Sequence, residues 1–177
     1  IPILYMILLF GFVSFVNLFN FFDGLNTLLS SQFILAMIYY SINIKSFELV
    51  LYKNDISILI GCSLAFLILN FFGKTFLGDI GSYFFGIICA FLISNSFLEN
   101  YDLSRLLLLL APILPLLIDT SLTILIRLKN GNKVISTPHR QHSYQLNAAM
   151  GMPHWFVSFI YCSKLTIACS FSHLSLT

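Results

Sequence analysis

Six long apolar runs fill most of this chain, and their length limits what it can fold into. Each has roughly twenty residues, the length that an α-helix needs to cross a bilayer. Hydrophobic residues make up 58% of the 177 residues and charged residues 9%, and the runs lack the alternation of barrel strands. We therefore predict an all-α, polytopic transmembrane helix bundle of about six helices, forming a single membrane domain over residues 1–177. The predicted spans are Ile1–Phe22, Leu28–Ile44, Ile56–Phe72, Gly81–Leu98, Leu106–Ile126 and Trp155–Phe171.

The charges between these spans predict the orientation. Net charge is only +2, and no basic stripe with interleaved aromatic residues is present, so the sequence does not support nucleic-acid binding. With six spans, the loops on one side carry more lysine and arginine than the loops on the other side. Cytoplasmic loops hold that excess in membrane proteins, so we place the richer side in the cytoplasm. It includes Asp23–Thr27, Gly73–Ile80 and a long loop at residues 127–153.

One carboxylate stands between the third and fourth apolar runs. Asp79 lies in the segment Gly73–Ser82, which also contains glycines that let a backbone approach a ligand closely. An ionisable residue so placed is costly and is a functional candidate. Mg²⁺ binds through one or two carboxylates plus substrate phosphates, and a helix N-terminus favours phosphate. Asp79 is thus a candidate magnesium ligand, and the alternative is a plain helix N-cap in a tight turn.

Polar side chains also follow one face at the end of the first span. Asn17, Asn20 and Asp23 are spaced three residues apart, which on a helix makes one stripe that descends to the cytoplasmic rim. Two amides and a carboxylate suit a hydroxyl-rich or nucleotide ligand. The alternative is structural: the amides bond a neighbouring helix, and Asp23 caps the next helix.

The long loop concentrates hydrogen-bond donors in Pro138–Gln145. It contains His139, Arg140 and His142 together with a phenol and amides, a set suited to diphosphate oxygens. A single histidine is more often structural than catalytic, but this density favours anion binding. All three polar segments fall on the predicted cytoplasmic side. Carboxylates and cationic donors that converge at a membrane rim indicate phosphoryl transfer between a soluble nucleotide and a lipid.

Three motifs with a family resemblance occur in order between Asn17 and Gln145. They read Asn17-x-x-Asn20-Phe21-x-Asp23-Gly24, then Asn70-Phe71 leading to Phe76-Leu77-Gly78-Asp79-x-Gly81-Ser82, then Asp119, Arg127 and His139-Arg140-x-His142-x-Tyr144-Gln145. Together they resemble the glycosyltransferase family 4 of polyprenyl-phosphate sugar-1-phosphate transferases. That family includes the muramoyl-pentapeptide transferase of peptidoglycan synthesis and the enzymes that start O-antigen and teichoic-acid synthesis.

The resemblance implies an activity, a cofactor and partners. The implied reaction transfers an N-acetylhexosamine-1-phosphate from a UDP-sugar to undecaprenyl phosphate and releases UMP. The implied cofactor is Mg²⁺, with Mn²⁺ as an alternative, and the implied location is the bacterial inner membrane with a cytoplasmic active site. A homodimer stays open.

The resemblance also implies residue roles. Asp79 resembles the magnesium ligand of the glycine-rich loop, and Asp23 resembles the carboxylate of the nucleotide-sugar pocket. These two aspartates and His142, in the histidine loop, are the implied catalytic residues. The implied substrate-binding residues are Asn17, Asn20, Asn70, His139 and Arg140.

The chain departs from the family pattern in three places. Many members read Asp-Gly-x-Asp-Gly in the first motif, whereas this chain has Asn26 and Thr27 after Asp23-Gly24-Leu25. The last motif reads His-x-Tyr-Gln, which resembles the O-antigen-initiating branch. The adjacent aspartate pair that the family carries in N-terminal helices does not occur. We therefore expect this chain to be the C-terminal part of a larger transferase and to be inactive alone.

Two other classes stay open at this point. A transporter also uses broken helices and intramembrane polar residues, but its key polar groups should lie near the middle of the spans. A non-catalytic remnant that keeps the fold is the second alternative, favoured by the missing aspartate pair.

Overall fold

Helices account for every regular element in the part of the chain that the structure describes. A computed structural model describes residues 2–129 and 141–174, and it confirms the predicted all-α bundle. Four helical stretches are long and apolar enough to cross a membrane, and two shorter apolar helices accompany them. The helices are α1 (Pro2–Phe21), α2 (Leu28–Ile42), α3 (Lys53–Phe71), α4 (Gly78–Asn100), α5 (Leu103–Leu110), α6 (Leu114–Lys129), α7 (Ser143–Ala149) and α8 (His154–Leu174).

The fifth predicted span differs from a single straight helix. A 3₁₀ turn, Ala111–Ile113, separates α5 from α6, because Pro112 has no backbone N–H and its ring clashes with the preceding turn. Two carbonyls beside this break accept side-chain hydrogen bonds from α2: the Tyr39 hydroxyl donates to Leu108 O (3.2 Å) and the Tyr40 hydroxyl donates to Leu109 O (2.8 Å). Water does not satisfy a buried carbonyl inside a membrane, so these bonds stabilise the break.

Close approach of α1 and α4 depends on a glycine. A Cβ added at Gly86 would stand 3.1 Å from both Cα and O of Val16 and 3.3 Å from Cβ of Phe19. Small residues allow backbones to approach closely in membrane helix pairs. Nearby, Phe33 of α2 stacks on Phe85 of α4 with ring centroids 4.0 Å apart. These contacts pack α4 against α1 and bring one aromatic side chain of α2 onto it.

Hydroxyl and amide groups join α2 to α8 along the length of both helices. Thr27 and Ser158 are linked at one end (2.8 Å), and Tyr39 and Ser172 at the other (2.7 Å). Between them the Gln32 amide donates to Cys162 Sγ (3.4 Å). Measured interhelical hydrogen bonds in membranes contribute about 0.6 kcal/mol each on average, so this set fixes the register of the pair as well as its stability.

Candidate functional site

The amide stripe of α1 faces the start of α4. Ser82 Oγ donates to Asn20 Oδ1 (2.9 Å), and Asn20 Nδ2 donates to Tyr83 Oη (3.2 Å). Tyr83 Oη in turn donates to Asn17 Oδ1 (3.5 Å). Asn17 Nδ2 donates to Val13 O of its own helix (2.9 Å). The structure therefore shows the interhelical contacts that the structural alternative predicted for these two asparagines. Their substrate-binding role stays a prediction.

Asp23 lies in the loop after α1, beside the residues that begin α4. Burial raises the pKa of Asp23 to about 6 from its usual value near 3.8, the Gly78 backbone N–H opposes that rise, and the neighbouring Asp79 charge adds to it. Two carboxylates from separate motifs thus lie close enough to interact. The helix that follows, α2, has Thr27 at its N-cap position with no side-chain cap hydrogen bond, so Asp23 does not cap it.

Asp79 sits in the first turn of α4 with its side chain exposed. The helix begins at Gly78, whose φ of +63° is a conformation that glycine adopts without strain. Leu77 occupies the N-cap position without a side-chain cap hydrogen bond, so the plain N-cap alternative for Asp79 is wrong. A positively polarised helix end adjoins the two carboxylates.

Asn70 joins the loop after α1 to the loop after α3. Its Oδ1 accepts from the Thr27 backbone N–H (2.5 Å) and its Nδ2 donates to Thr75 O (2.8 Å). Thr27 has φ of 70°, which costs a β-branched residue conformational energy, so the Asn70 bond holds a strained backbone in place. This buried amide positions the loop that carries Asp23.

The histidine loop meets α6 and α8 through a buried carboxylate. Asp119 Oδ2 lies 3.1 Å from His142 Nδ1, and Asp119 Oδ1 accepts from the Ser143 backbone N–H (3.0 Å) and from Ser143 Oγ. Ser143 Oγ also contacts Tyr161 Oη (2.7 Å). The His142 residue is only 4% exposed. The structure therefore places this predicted catalytic residue in a tightly held position at the start of α7.

Tyr144 connects the same segment to the Asp23 loop. Its hydroxyl donates to Phe21 O, at the end of α1, and burial raises the pKa of Tyr144, which keeps the phenol protonated as a donor. Its ring fills the space beside Gly24, where an added Cβ would stand 2.8 Å from Tyr144 Oη. The first and third motifs are therefore in direct contact.

Two predicted residues and part of the predicted loop lie outside the described residues. His139 and Arg140 fall in the undescribed range 130–140, so their binding roles stay predictions. Within the predicted loop at residues 127–153, α6 continues to Lys129 and α7 occupies Ser143–Ala149.

Two cavities adjoin α8, one at each end. A cavity of about 220 Å³ lies at the end of the bundle that holds Asp23 and Asp79. It is lined by Asn26, Thr27, Phe71, His154 and Trp155. There the Asn26 backbone N–H donates to His154 Nδ1 (3.3 Å). A cavity of about 480 Å³ lies between the C-terminal halves of α2 and α8 and contains none of the predicted site residues. Of these two cavities in the described part of the chain, the smaller one adjoins the loop that Asn70 holds.

The carboxylates of Asp23 and Asp79 fit a magnesium ion that also binds substrate phosphates. Among residues 2–129 and 141–174, no group of three or more histidine, cysteine, aspartate or glutamate side chains could hold a metal. The charges of Asp23 and Asp79 interact, and a cation between them would relieve their mutual repulsion and the cost of burying Asp23. Two carboxylates with the rest of the shell open to phosphate oxygens are a usual magnesium arrangement.

Sequence reasoning missed the partners that hold these residues. The sequence did not predict that Ser82, Tyr83 or Tyr161 would form hydrogen bonds to another helix. Their signal was a polar group within an apolar helix, which predicts an interhelical hydrogen bond but not its partner.

Fold and site together define a multi-pass helical membrane protein that gathers acidic and imidazole side chains at one end of its bundle. A family model described as glycosyl transferase family 4 matches residues 1–96, more than half of the chain. The chain belongs to this family, whose general activity is sugar-phosphate transfer at membranes. The match includes the first two motifs, and the histidine loop lies beyond it. No curated protein and no solved structure matches the chain.

Proposed function

We propose that this protein transfers a sugar-1-phosphate, an N-acetylhexosamine-1-phosphate, from a UDP-sugar to undecaprenyl phosphate in the bacterial inner membrane. The reaction breaks the bond between the sugar-bearing phosphorus and the UMP oxygen and forms a new bond from that phosphorus to a lipid phosphate oxygen. UMP leaves on the cytoplasmic side. The lipid diphosphate sugar that results initiates a cell-envelope polysaccharide such as O-antigen.

The observation that carries this proposal is the meeting of three motifs at one end of the bundle. The Asp23 loop interacts with Asp79 and receives the Tyr144 hydrogen bond from the histidine segment. Asn70 also holds this loop, because its side-chain oxygen accepts the Thr27 backbone N–H. A transporter site would gather its polar groups near the middle of the spans, whereas Asp23 and Asn70 lie at the ends of α1 and α3, and Asp79 and His142 at the starts of α4 and α7.

In the proposed mechanism, Asp79 would hold Mg²⁺ and Asp23 would complete the carboxylate side of the site. The ion would supply positive charge against the diphosphate and the departing UMP. The N-terminal end of α4 adds favourable electrostatics for the same phosphates. The Arg140 guanidinium supplies further donors to the diphosphate, and His142 presents its imidazole to the diphosphate or sugar. Positioning and electrostatics account for most of such catalysis.

The test is UMP release by the full-length protein in nanodiscs supplied with undecaprenyl phosphate and a panel of UDP-N-acetylhexosamines. The wild type should release UMP and form lipid-linked sugar only when Mg²⁺ or Mn²⁺ is present. Asp79→Asn should lower the rate at least about 100-fold, since electrostatic groups at a transferring phosphoryl are worth that much.

Asp102→Asn is the matched control. Asp102 also begins a helix, where its side chain accepts from Ser104 N (2.9 Å), but that helix starts at the opposite end of the bundle. Its variant should keep the wild-type rate. Near-normal turnover by Asp79→Asn contradicts the metal role, and no turnover of any donor by the wild type favours the non-catalytic alternative.

A further inference from the structure

Asp119 of α6 receives three hydrogen bonds at the start of α7. Its Oδ1 accepts both the backbone N–H (3.0 Å) and the hydroxyl of Ser143, and its Oδ2 faces His142 Nδ1 (3.1 Å). Because the Ser143 proton goes to the carboxylate, Ser143 Oγ accepts from Tyr161 Oη (2.7 Å). The carboxylate therefore links α6, α7 and α8 at the residue that the third motif predicts to be catalytic.

The surroundings of His142 Nδ1 decide which ring nitrogen carries a proton. An ionised carboxylate only accepts hydrogen bonds. The other neighbour, Thr123 Oγ1 at 3.5 Å, gives its own proton to Asp119 O (2.8 Å) and so offers a lone pair to the ring. The His142 side chain also faces the Gln145 backbone N–H at the start of α7, but the charged carboxylate at 3.1 Å is the stronger partner, so Nδ1 is the donor to Asp119. Nε2 is then the nitrogen without a proton whenever the ring is neutral.

We propose that Asp119 is a positioning residue for His142, holding the imidazole in its Nδ1–H form and fixing its orientation for the transfer reaction. The inference rests on the proposed function, because it assigns Asp119 an effect on catalysis through His142. Phe22 and Tyr144 flank the ring, with centroids 5.6 and 5.7 Å away. These contacts limit ring rotation and leave the Asp119 bond to select the tautomer.

Asp119→Asn separates this role from general support of the fold. An asparagine offers one acceptor oxygen and one NH₂ group. The Ser143 backbone N–H cannot reverse its direction, so the new oxygen faces Ser143 and the NH₂ faces Nδ1. Nδ1 must then accept, and the proton moves to Nε2. The same substitution beside a catalytic histidine leaves geometry intact but fixes the wrong tautomer in serine proteases.

The first measurement is the ¹⁵N spectrum of histidine-labelled full-length protein in nanodiscs, with the His142 signals assigned by their loss in His142→Gln. Nδ1 should carry a proton in the wild type and lose it in Asp119→Asn. A bare Nδ1 in the wild type overturns the proposal, and this result does not depend on which reaction the protein performs.

The second measurement is kinetic and uses UMP release. Asp119→Asn should lower kcat about 10- to 100-fold, the usual effect of losing a group that orients a functional histidine, with KM for the UDP-sugar changed by less than about threefold. In a His142→Gln background the same substitution should have no further effect. Multiplying effects in the double variant would show that Asp119 acts on folding alone and would overturn the proposal.

Ser143→Ala is the matched variant at the same carboxylate, since it removes the hydroxyl bonds and keeps the backbone N–H. It should keep the Nδ1 proton and lower kcat by less than about threefold. If the wild type performs no transfer, the proposed function fails, while the ¹⁵N spectra still decide the Asp119–His142 pairing.

Discussion

Tyr144 donates a hydrogen bond from its phenol to the backbone carbonyl of Phe21, and this one contact joins the histidine segment to the loop that carries Asp23. Tyr144 is fully buried, and Gln145 Nε2 donates to its hydroxyl oxygen (3.1 Å). Both residues belong to the last motif of this chain, His-x-Tyr-Gln. Here the tyrosine braces two loops at one end of the bundle.

Tyr144→Phe tests this brace. The variant keeps the ring and loses the donor to Phe21, which leaves a carbonyl at a helix end without that partner. We expect a loss of about 1 kcal/mol in unfolding free energy and a fall in kcat/KM, because the Asp23 loop loses a fixed contact. Thermal unfolding in detergent and UMP release measure the two effects. Unchanged values for both would contradict the bracing role.

Gly24→Ala tests the same contact from the other side. The new methyl would approach Tyr144 Oη to 2.8 Å and Tyr144 Cε2 to 3.0 Å, so it should destabilise the protein by about 1–3 kcal/mol, as overpacking does. In a Tyr144→Phe background the closest of these atoms is gone. The substitution should therefore cost less there, and an equal cost in both backgrounds would show that the two residues do not interact.

The apolar runs predicted the helices well, and the contacts between helices could not be predicted. Run length alone located α1 to α4 and α8 to within a few residues, since the membrane fixes how long a span must be. Pro112 carried a signal for the break between α5 and α6. The Asn17–Asn20 stripe was placed on the correct face, but its partners Ser82 and Tyr83 are about sixty positions away. Periodicity holds no information about which helix a face meets.

The histidine segment shows the same limit more strongly. His142 stood out by residue type and density, and Asp119 by its place in an apolar span. Their pairing requires the chain to turn back after α6 and begin α7 against it, and no local pattern encodes that return. The pairing of Asp23 with Asp79 was likewise predicted only through the shared side of the membrane. Burial of Asp23 was not predicted at all.

The raised pKa of Asp23 makes the stability of the chain depend on pH. A carboxyl whose pKa is about 6 in the fold and near 3.8 otherwise favours folding while it is protonated, and that contribution is lost as pH rises through about 6. In chelator, Asp23→Asn should therefore raise Tm at pH 8, and the gain should vanish below about pH 4. A gain in Tm that is the same at both pH values would contradict the burial and Asp79 contributions to the shift.

Asn70→Asp tests the amide that holds the strained Thr27. The aspartate keeps an acceptor for Thr27 N–H but sets a carboxylate oxygen against Thr75 O in place of the present donor. Because Asn70 is buried, we expect a loss of about 1–3 kcal/mol in unfolding free energy together with reduced transfer. Asn54→Ala, at an exposed position near the start of α3, is the control and should change neither. Normal transfer by Asn70→Asp would show that this amide does not support the reaction.

Gly86→Ala tests whether the spacing of α1 and α4 holds the site together. The added Cβ would meet backbone atoms of Val16 at 3.1 Å, and backbone atoms cannot rotate away as a side chain can. The helices must therefore separate, which should cost about 1–3 kcal/mol and lengthen the Asn20 hydrogen bonds to Ser82 and Tyr83, one turn away on α4. Gly61→Ala is the control: nothing lies within 4 Å of a Cβ at Gly61, and alanine favours a helix interior over glycine by about 1 kcal/mol. We expect Gly61→Ala to be neutral or stabilising and Gly86→Ala to lower both Tm and UMP release; equal effects of the two would show that the α1–α4 approach does not position the site.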